Sequence, residues 1–138
     1  DLVNGMFEAY DRGHYTAVLV DEENNVLEGP GFNIFSLDKN GLKTPKIGVL
    51  EGITRQTAIR LASELDIPVQ EKSIESEEFI NSDEAFATST AGGIIPITRI
   101  NGKKINNGKI GKITSLLKNL YWEKHTDPQW SQSVDELI

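Results

Sequence analysis

The chain of 138 residues carries a net charge of −7 and no cysteine, which excludes a general binder of nucleic acid or anionic membrane, disulfides and thiolate chemistry. A hydrophobic content of 38% suits one compact domain over residues 1–138 with a buried core. No apolar run approaches the ~20 residues of a membrane-spanning helix, and the first residues lack a signal-peptide pattern, so a soluble, cytoplasmic protein is expected.

In chain order, Leu2, Val3, Met6, Phe7 and Tyr10 share one helical face, with Asp1 placed to cap and Gly13 to stop the helix. A helix with no leading strand suggests that something upstream has been removed. YTAVLVD and NVLEG are expected as two strands of a hairpin around the DEENN turn, and FNIFSLD as a third strand after the GPG punctuation. The turn at Asn40-Gly41 leads through LKTP to a helix that starts near Ile53 or Thr54, with Gly52 at its mouth and Ala58, Ile59, Leu61, Ala62 and Leu65 inward. IPVQEKSI is expected as a strand, ESEEFINS as a short acidic helix or turn, EAFATST as a strand ending at Gly92 and Gly93, and IPITRING as a strand and turn. Ile113, Leu116, Leu117 and Leu120 define a last helix before a polar tail containing DPQW. Short strands among three main helices indicate a mixed α/β, or α+β, fold.

Local chemistry points to few sites. His14 and His125 are far apart and lack metal-ligand companions, and no nucleophile-elbow pattern is present. GPGFNI lacks a third glycine and runs into a strand, which rules out a dinucleotide fingerprint. GIT at 52–54 opens an amphipathic helix, where unpaired N–H groups can seat an anion, and TSTAGG at 88–93 sets hydroxyls at a strand end. Taken singly, each also reads as a plain helix start or a strand-to-loop transition, and Glu28 as a solvated turn carboxylate. Tyr121, Trp122 and Trp130 read as core or interface residues.

Taken together and in order, DLVNGMFEAYDRG, EGPGFNIF, GVLEGITRQT, SDEAFATSTAGGIIPITRINGKKI and GKIGKIT resemble the C-terminal large domain of class IV, or fold-type IV, pyridoxal-phosphate aminotransferases. STAGGIIPITR and the nearby YWEKH resemble most the (R)-selective amine transaminase branch; branched-chain and D-amino-acid aminotransferases share the architecture. The resemblance implies pyridoxal 5'-phosphate as cofactor. It matches Glu28 to the carboxylate on the pyridine nitrogen, Leu50 to the apolar side chain on one face of the ring, and Ile53 and Thr54 to the helix-mouth residues that bind the phosphate. Thr90 matches the hydroxyl that completes the phosphate cup, and Ala91 lies with it on the loop lining the substrate pocket. Gly29, Pro30 and Gly31 then turn the chain sharply beneath the ring.

The family's Schiff-base lysine falls a few residues before the position of Asp1, and neither Lys43 nor Lys46 matches it. The resemblance therefore implies a chain without the small N-terminal domain, inactive alone, whose parent moves an amino group from a primary amine or amino acid to a keto acid and pairs as a homodimer. An exposed apolar surface is expected where the small domain docks. Alternatives are a non-catalytic module for cofactor binding or dimer assembly, a branched-chain or D-amino-acid aminotransferase, or an aminodeoxychorismate lyase.

Overall fold

The structure, a computed structural model, describes residues 1–136, so the last two residues of the polar tail lie outside the described residues. Helix α1 (Leu2–Asp11) begins as expected, the Asp1 carboxylate accepting from the Val3 N–H at 2.9 Å, and the chain turns away at Gly13 with φ +78°. Its large apolar residues face outward: Val3, Phe7 and Tyr10 are all more than half exposed. The inner face is built from small residues, because Ala9 is buried and a Cβ on Gly5 would lie 2.8 Å from Leu19 Cδ2.

The expected hairpin over residues 15–29 is looser than two strands. Val20 and Val26 form one isolated bridge, and the Leu19 N–H donates to Glu28 O at 2.9 Å. The Asp21 carboxylate accepts from the Glu23 N–H (3.0 Å), the Asn25 N–H (2.7 Å) and the Asn25 side-chain amide (3.0 Å), while Asn24 takes φ 64°. These side-chain bonds satisfy backbone groups that a ladder would use, so the turn spreads at the expense of the strands. Regular structure begins only at β1 (Glu28–Gly29), antiparallel to β2 (Phe32–Asp38).

Next come β3 (Gly41–Thr44), α2 (Ile53–Glu64), β4 (Val69–Glu71), α3 (Ser76–Ile80), β5 (Glu84–Ser89), β6 (Gly93–Ile97), β7 (Arg99–Ile100), β8 (Lys103–Lys104) and α4 (Lys112–Glu123). The strand expected over IPVQEKSI is three residues long and IPITRING divides between β6 and the small β7–β8 ribbon. The main sheet has the order β4-β3-β2-β5-β6, with β1 on β2. Its pairs are antiparallel except β3–β4, whose parallel geometry requires the crossover that α2 supplies.

Both faces of the sheet are covered, which is why FNIF reads as an unbroken apolar run apart from its asparagine. On one face Phe35 and Phe86 lie opposite each other and stack with centroids 4.7 Å apart, beneath Ala58, Leu61 and Ala62 of α2 and Leu117 of α4. Tyr121 and Trp130 pack against this core, whereas Trp122 is 46% exposed and stacks on His125. The opposite face buries Ile34 and Ala85 with Val26, Ile74, Phe79 and Ile105. Alternate strand residues thus feed separate cores.

Candidate functional site

The β1–β2 register sets Glu28 opposite Asn33, and the two-residue loop between the strands is Pro30-Gly31. Gly31 takes φ +79°, and proline followed by such a glycine is a pair that type II turns favour. A Cβ on Gly29 would lie 2.0 Å from the Phe32 ring, so this glycine is needed for the close approach of that ring. GPG therefore serves to bring the half-buried Glu28 back beside β2.

Glu28 is held there by two donors to the same oxygen. The Asn33 side-chain amide donates to Oε2 at 3.1 Å and the Leu50 N–H at 2.9 Å. Asn33 Nδ2 also donates to Leu50 O at 2.7 Å, so the carboxylate, the amide and the loop before α2 form one network. Glu28 Oε1 has no hydrogen-bond partner among the described residues.

The same loop opens α2. Gly52 is its N-cap in extended conformation, with no side chain capping the helix, and a Cβ there would lie 2.5 Å from Asn33 Oδ1. The first N–H groups of an α-helix have no partner within it, so this mouth presents donors and a positive dipole end. Helix α4 starts from the similar Gly111 but is filled: Glu84 on β5 accepts from the Ile113 N–H (3.1 Å), the Thr114 N–H (2.8 Å) and the Thr114 hydroxyl (2.7 Å). Beside the α2 mouth, Thr54 is buried while Ile53 and Leu50 are 84% and 73% exposed.

Thr90 and Ala91 lie on the exposed turn from β5 to β6, closed by Ser89 opposite Gly93. Asn33 pairs with Glu28 on one side and Thr88 on the other, so this turn, two residues beyond Thr88, belongs to the sheet end that carries Glu28. The structure thus joins Glu28 and Leu50 by a hydrogen bond, sets Gly52, just before Ile53 and Thr54, against Asn33, and brings Thr90 and Ala91 to the same end without hydrogen bonds to the others among the described residues.

Sequence reasoning missed three residues here. Asn33 is 6% exposed and is the one polar residue in FNIF, a signal open to reading once the Glu28 register is known. Thr88 is 2% exposed and its hydroxyl has no hydrogen-bond partner among the described residues. Arg55, in the first turn of α2, is 1% exposed and donates through Nη2 to Pro45 O (2.9 Å) and Glu71 Oε1 (2.7 Å), tying the helix start to the β3–β4 edge. Lys43, by contrast, is engaged with Asp38 and Glu78. Among the described residues no group of three His, Asp or Glu side chains is arranged to hold a metal, and no helix is long and apolar enough to cross a membrane.

Residues 3–100 match the family described as amino-transferase class IV. The chain belongs to the class IV aminotransferases. As a class IV aminotransferase it is 38% identical over 117 residues to the branched-chain-amino-acid aminotransferase of Pseudomonas aeruginosa, covering 84% of this chain and 38% of that protein. Among solved structures, the branched-chain aminotransferase from the archaeon Thermoproteus uzoniensis with norvaline superposes with a TM-score of 0.85 at 38% identity, over 93% of this chain and 43% of that one. A T.th. branched-chain amino acid aminotransferase complexed with N-(5'-phosphopyridoxyl)-L-glutamate superposes with a TM-score of 0.86 at 32% identity, over 93% of this chain and 45% of that one. These likenesses bear out the expected mixed α/β, fold-type IV architecture. The chain spans about two fifths of the length of such curated relatives, 38% and 41% for those of P. aeruginosa and Escherichia coli.

The site residues of this class IV aminotransferase suit a phosphopyridoxyl group chemically. Such a group has a dianionic end, a flat ring and a ring nitrogen. The chain presents an uncapped helix mouth cleared of a side chain by Gly52, the exposed Leu50, and Glu28 with one oxygen unclaimed.

Proposed function

We propose that residues 1–138 form the cofactor-binding domain of a transaminase that holds pyridoxal 5'-phosphate. The observation that carries this reading is the Glu28–Asn33–Leu50 network, which ties an acceptor for the ring nitrogen to the loop that opens the uncapped helix α2. In this reading Glu28 Oε1 would accept the ring N–H, Leu50 would cover the ring, the N–H groups of Ile53 and Thr54 would hold the phosphate with the Thr90 hydroxyl, and Ala91 with Thr90 would border the substrate. When bound, the cofactor supplies an electron sink for the carbanion left when the substrate loses its α-proton.

The parent reaction moves an amino group from a branched-chain amino acid to a keto acid; the names of the aligned relatives support that substrate class. A second reading, an (R)-selective amine transaminase, is favoured by STAGGIIPITR and YWEKH. In the cytoplasmic parent the lysine that joins the cofactor's aldehyde and the rest of the substrate pocket come from outside residues 1–138, in a homodimer. The outward apolar residues of α1 support such a docking partner, because Leu2, Val3, Met6, Phe7 and Tyr10 with Pro30 line a shallow apolar surface.

Equilibrium titration of the chain with pyridoxal 5'-phosphate tests the site. Glu28→Gln and Thr90→Val should each weaken binding roughly tenfold, the scale of one hydrogen bond to a charged group. Unchanged affinity in both would place the cofactor elsewhere. The chain mixed with cofactor, leucine and a keto acid should show no turnover, and turnover without added protein would refute the external lysine. In the protein with its native upstream sequence, turnover of leucine but not of a primary amine lacking a carboxylate selects the first reading, and the reverse selects the second.

A further inference from the structure

Asn33 spends both amide hydrogens inside the site, one on Glu28 Oε2 at 3.1 Å and one on Leu50 O at 2.7 Å. Facing two acceptors, the amide has a single productive orientation, since the flipped form would set its oxygen against a carboxylate and a carbonyl. The other donor to Glu28, the Leu50 N–H, reaches the same Oε2 at 2.9 Å. Both donors converge on one oxygen and leave Oε1 as the free acceptor.

The three partners differ in how firmly they are held. Asn33 is buried on β2, between β1 and β5 near the middle of the main sheet. Glu28 belongs to a two-residue strand and Leu50 to an exposed loop. The sheet residue is therefore the reference to which the two less constrained segments are fastened. Its Oδ1 also lies against Gly52, the N-cap of α2, so one side chain touches both Glu28 and the residue just before the helix mouth.

We infer that Asn33 is a positioning residue that fixes the Glu28 carboxylate, with Oε1 outward, as the acceptor for a pyridine-type ring nitrogen. The inference rests on the cofactor reading above and goes beyond it by assigning the selectivity for that nitrogen to a residue that does not itself touch the ligand. Without the amide, Glu28 keeps one donor, its two oxygens exchange, and water competes for the oxygen that should face the ring.

The test compares binding of pyridoxal 5'-phosphate with that of its analogue carrying C–H in place of the ring nitrogen, by fluorescence titration of the chain. Wild type should prefer the nitrogen-containing compound roughly tenfold, the scale of a hydrogen bond to a charged group. Glu28→Ala should abolish the preference, Asn33→Ala should reduce it to about twofold or less, and the double variant should match Glu28→Ala alone. The near-isosteric Asn33→Leu removes the donors without opening a cavity or adding a charge beside Glu28, and should lose the preference too. If Asn33→Ala and Asn33→Leu keep the wild-type preference while Glu28→Ala loses it, the Glu28 reading stands and the role of Asn33 is refuted. A wild type that binds both compounds equally, or neither, refutes the Glu28 reading and this inference with it. A ligand-free readout is thermal melting of the same variants: non-additive Tm losses for Asn33→Ala and Glu28→Ala support the contact, and additive losses overturn it.

Discussion

Gly52 lacks a side chain because Asn33 occupies the space one would need. Its φ of −62° and ψ of 142° suit any residue, so its backbone does not demand glycine; the constraint is the 2.5 Å approach of a Cβ to Asn33 Oδ1. Gly52→Ala should therefore cost about 1–3 kcal/mol, the usual range for overpacking, in urea denaturation of the wild-type background. In an Asn33→Ala background the second substitution should cost less than half as much, since the clashing oxygen has gone. Glu28 was legible in the sequence only through the ordered resemblance of several segments, because a carboxylate before Gly-Pro-Gly is also an ordinary turn residue. Asn33 was not legible, because its role depends on hairpin register and on Leu50, 17 residues away.

Two helices begin with a similar glycine and meet opposite fates. At α4 the Glu84 carboxylate sits where a Cβ on Gly111 would come within 1.9 Å of its Cδ, and it accepts from two helix N–H groups. At α2 no side chain among the described residues does so. Glu84→Ala should destabilise the fold by about 1–2 kcal/mol, the scale of a lost helix cap, seen as a lower urea midpoint with an unchanged slope. The same change should leave cofactor affinity intact. The presence of α1, α2 and α4 followed from apolar spacing in the sequence, but the direction of the α1 stripe did not. Period alone places Val3, Phe7 and Tyr10 on one side, and only the packing of Gly5 against Leu19 turns that side outward.

Across the whole molecule, the face opposite α2 is closed by a buried cation. Lys43 on β3 pairs with Asp38 at the end of β2 and Glu78 in α3, and is 8% exposed. The hydrogen bond from Lys43, and then that from the Asn40 N–H, hold the Asp38 carboxyl below its ordinary value, and the bonds to Asp38 and Glu78 raise Lys43 above its own. For Asp38 the stabilisation is present above the ordinary carboxylate range and is lost as pH falls through the lowered folded value. For Lys43 it is present below the ordinary value of 10.5 and is lost as pH rises through the raised one. Melting temperature plotted against pH should thus show a plateau between the two limits. Lys43→Met should lower both the melting temperature on that plateau and the unfolding free energy, the latter by about 1 kcal/mol, a modest loss because both carboxylates remain about one third exposed, and should flatten the acid limb. An acid limb identical to wild type would show that Asp38 draws nothing from Lys43.

The class of fold, the helices, most of the strands and the order of the motifs were legible along the chain, since these depend on local periodicity and turn chemistry that each segment carries alone. The sequence pattern overestimated the strands before Glu28, where the Asp21 side chain competes for backbone groups. Tertiary structure decided what lies beside what. It set Glu28 against Asn33 and Leu50, buried Arg55 beneath the start of α2, filled one helix mouth with Glu84 and left the other uncapped. Those outcomes follow from strand register and from contacts between residues remote in the chain, where a one-residue slip would turn every side chain of a strand to the other face.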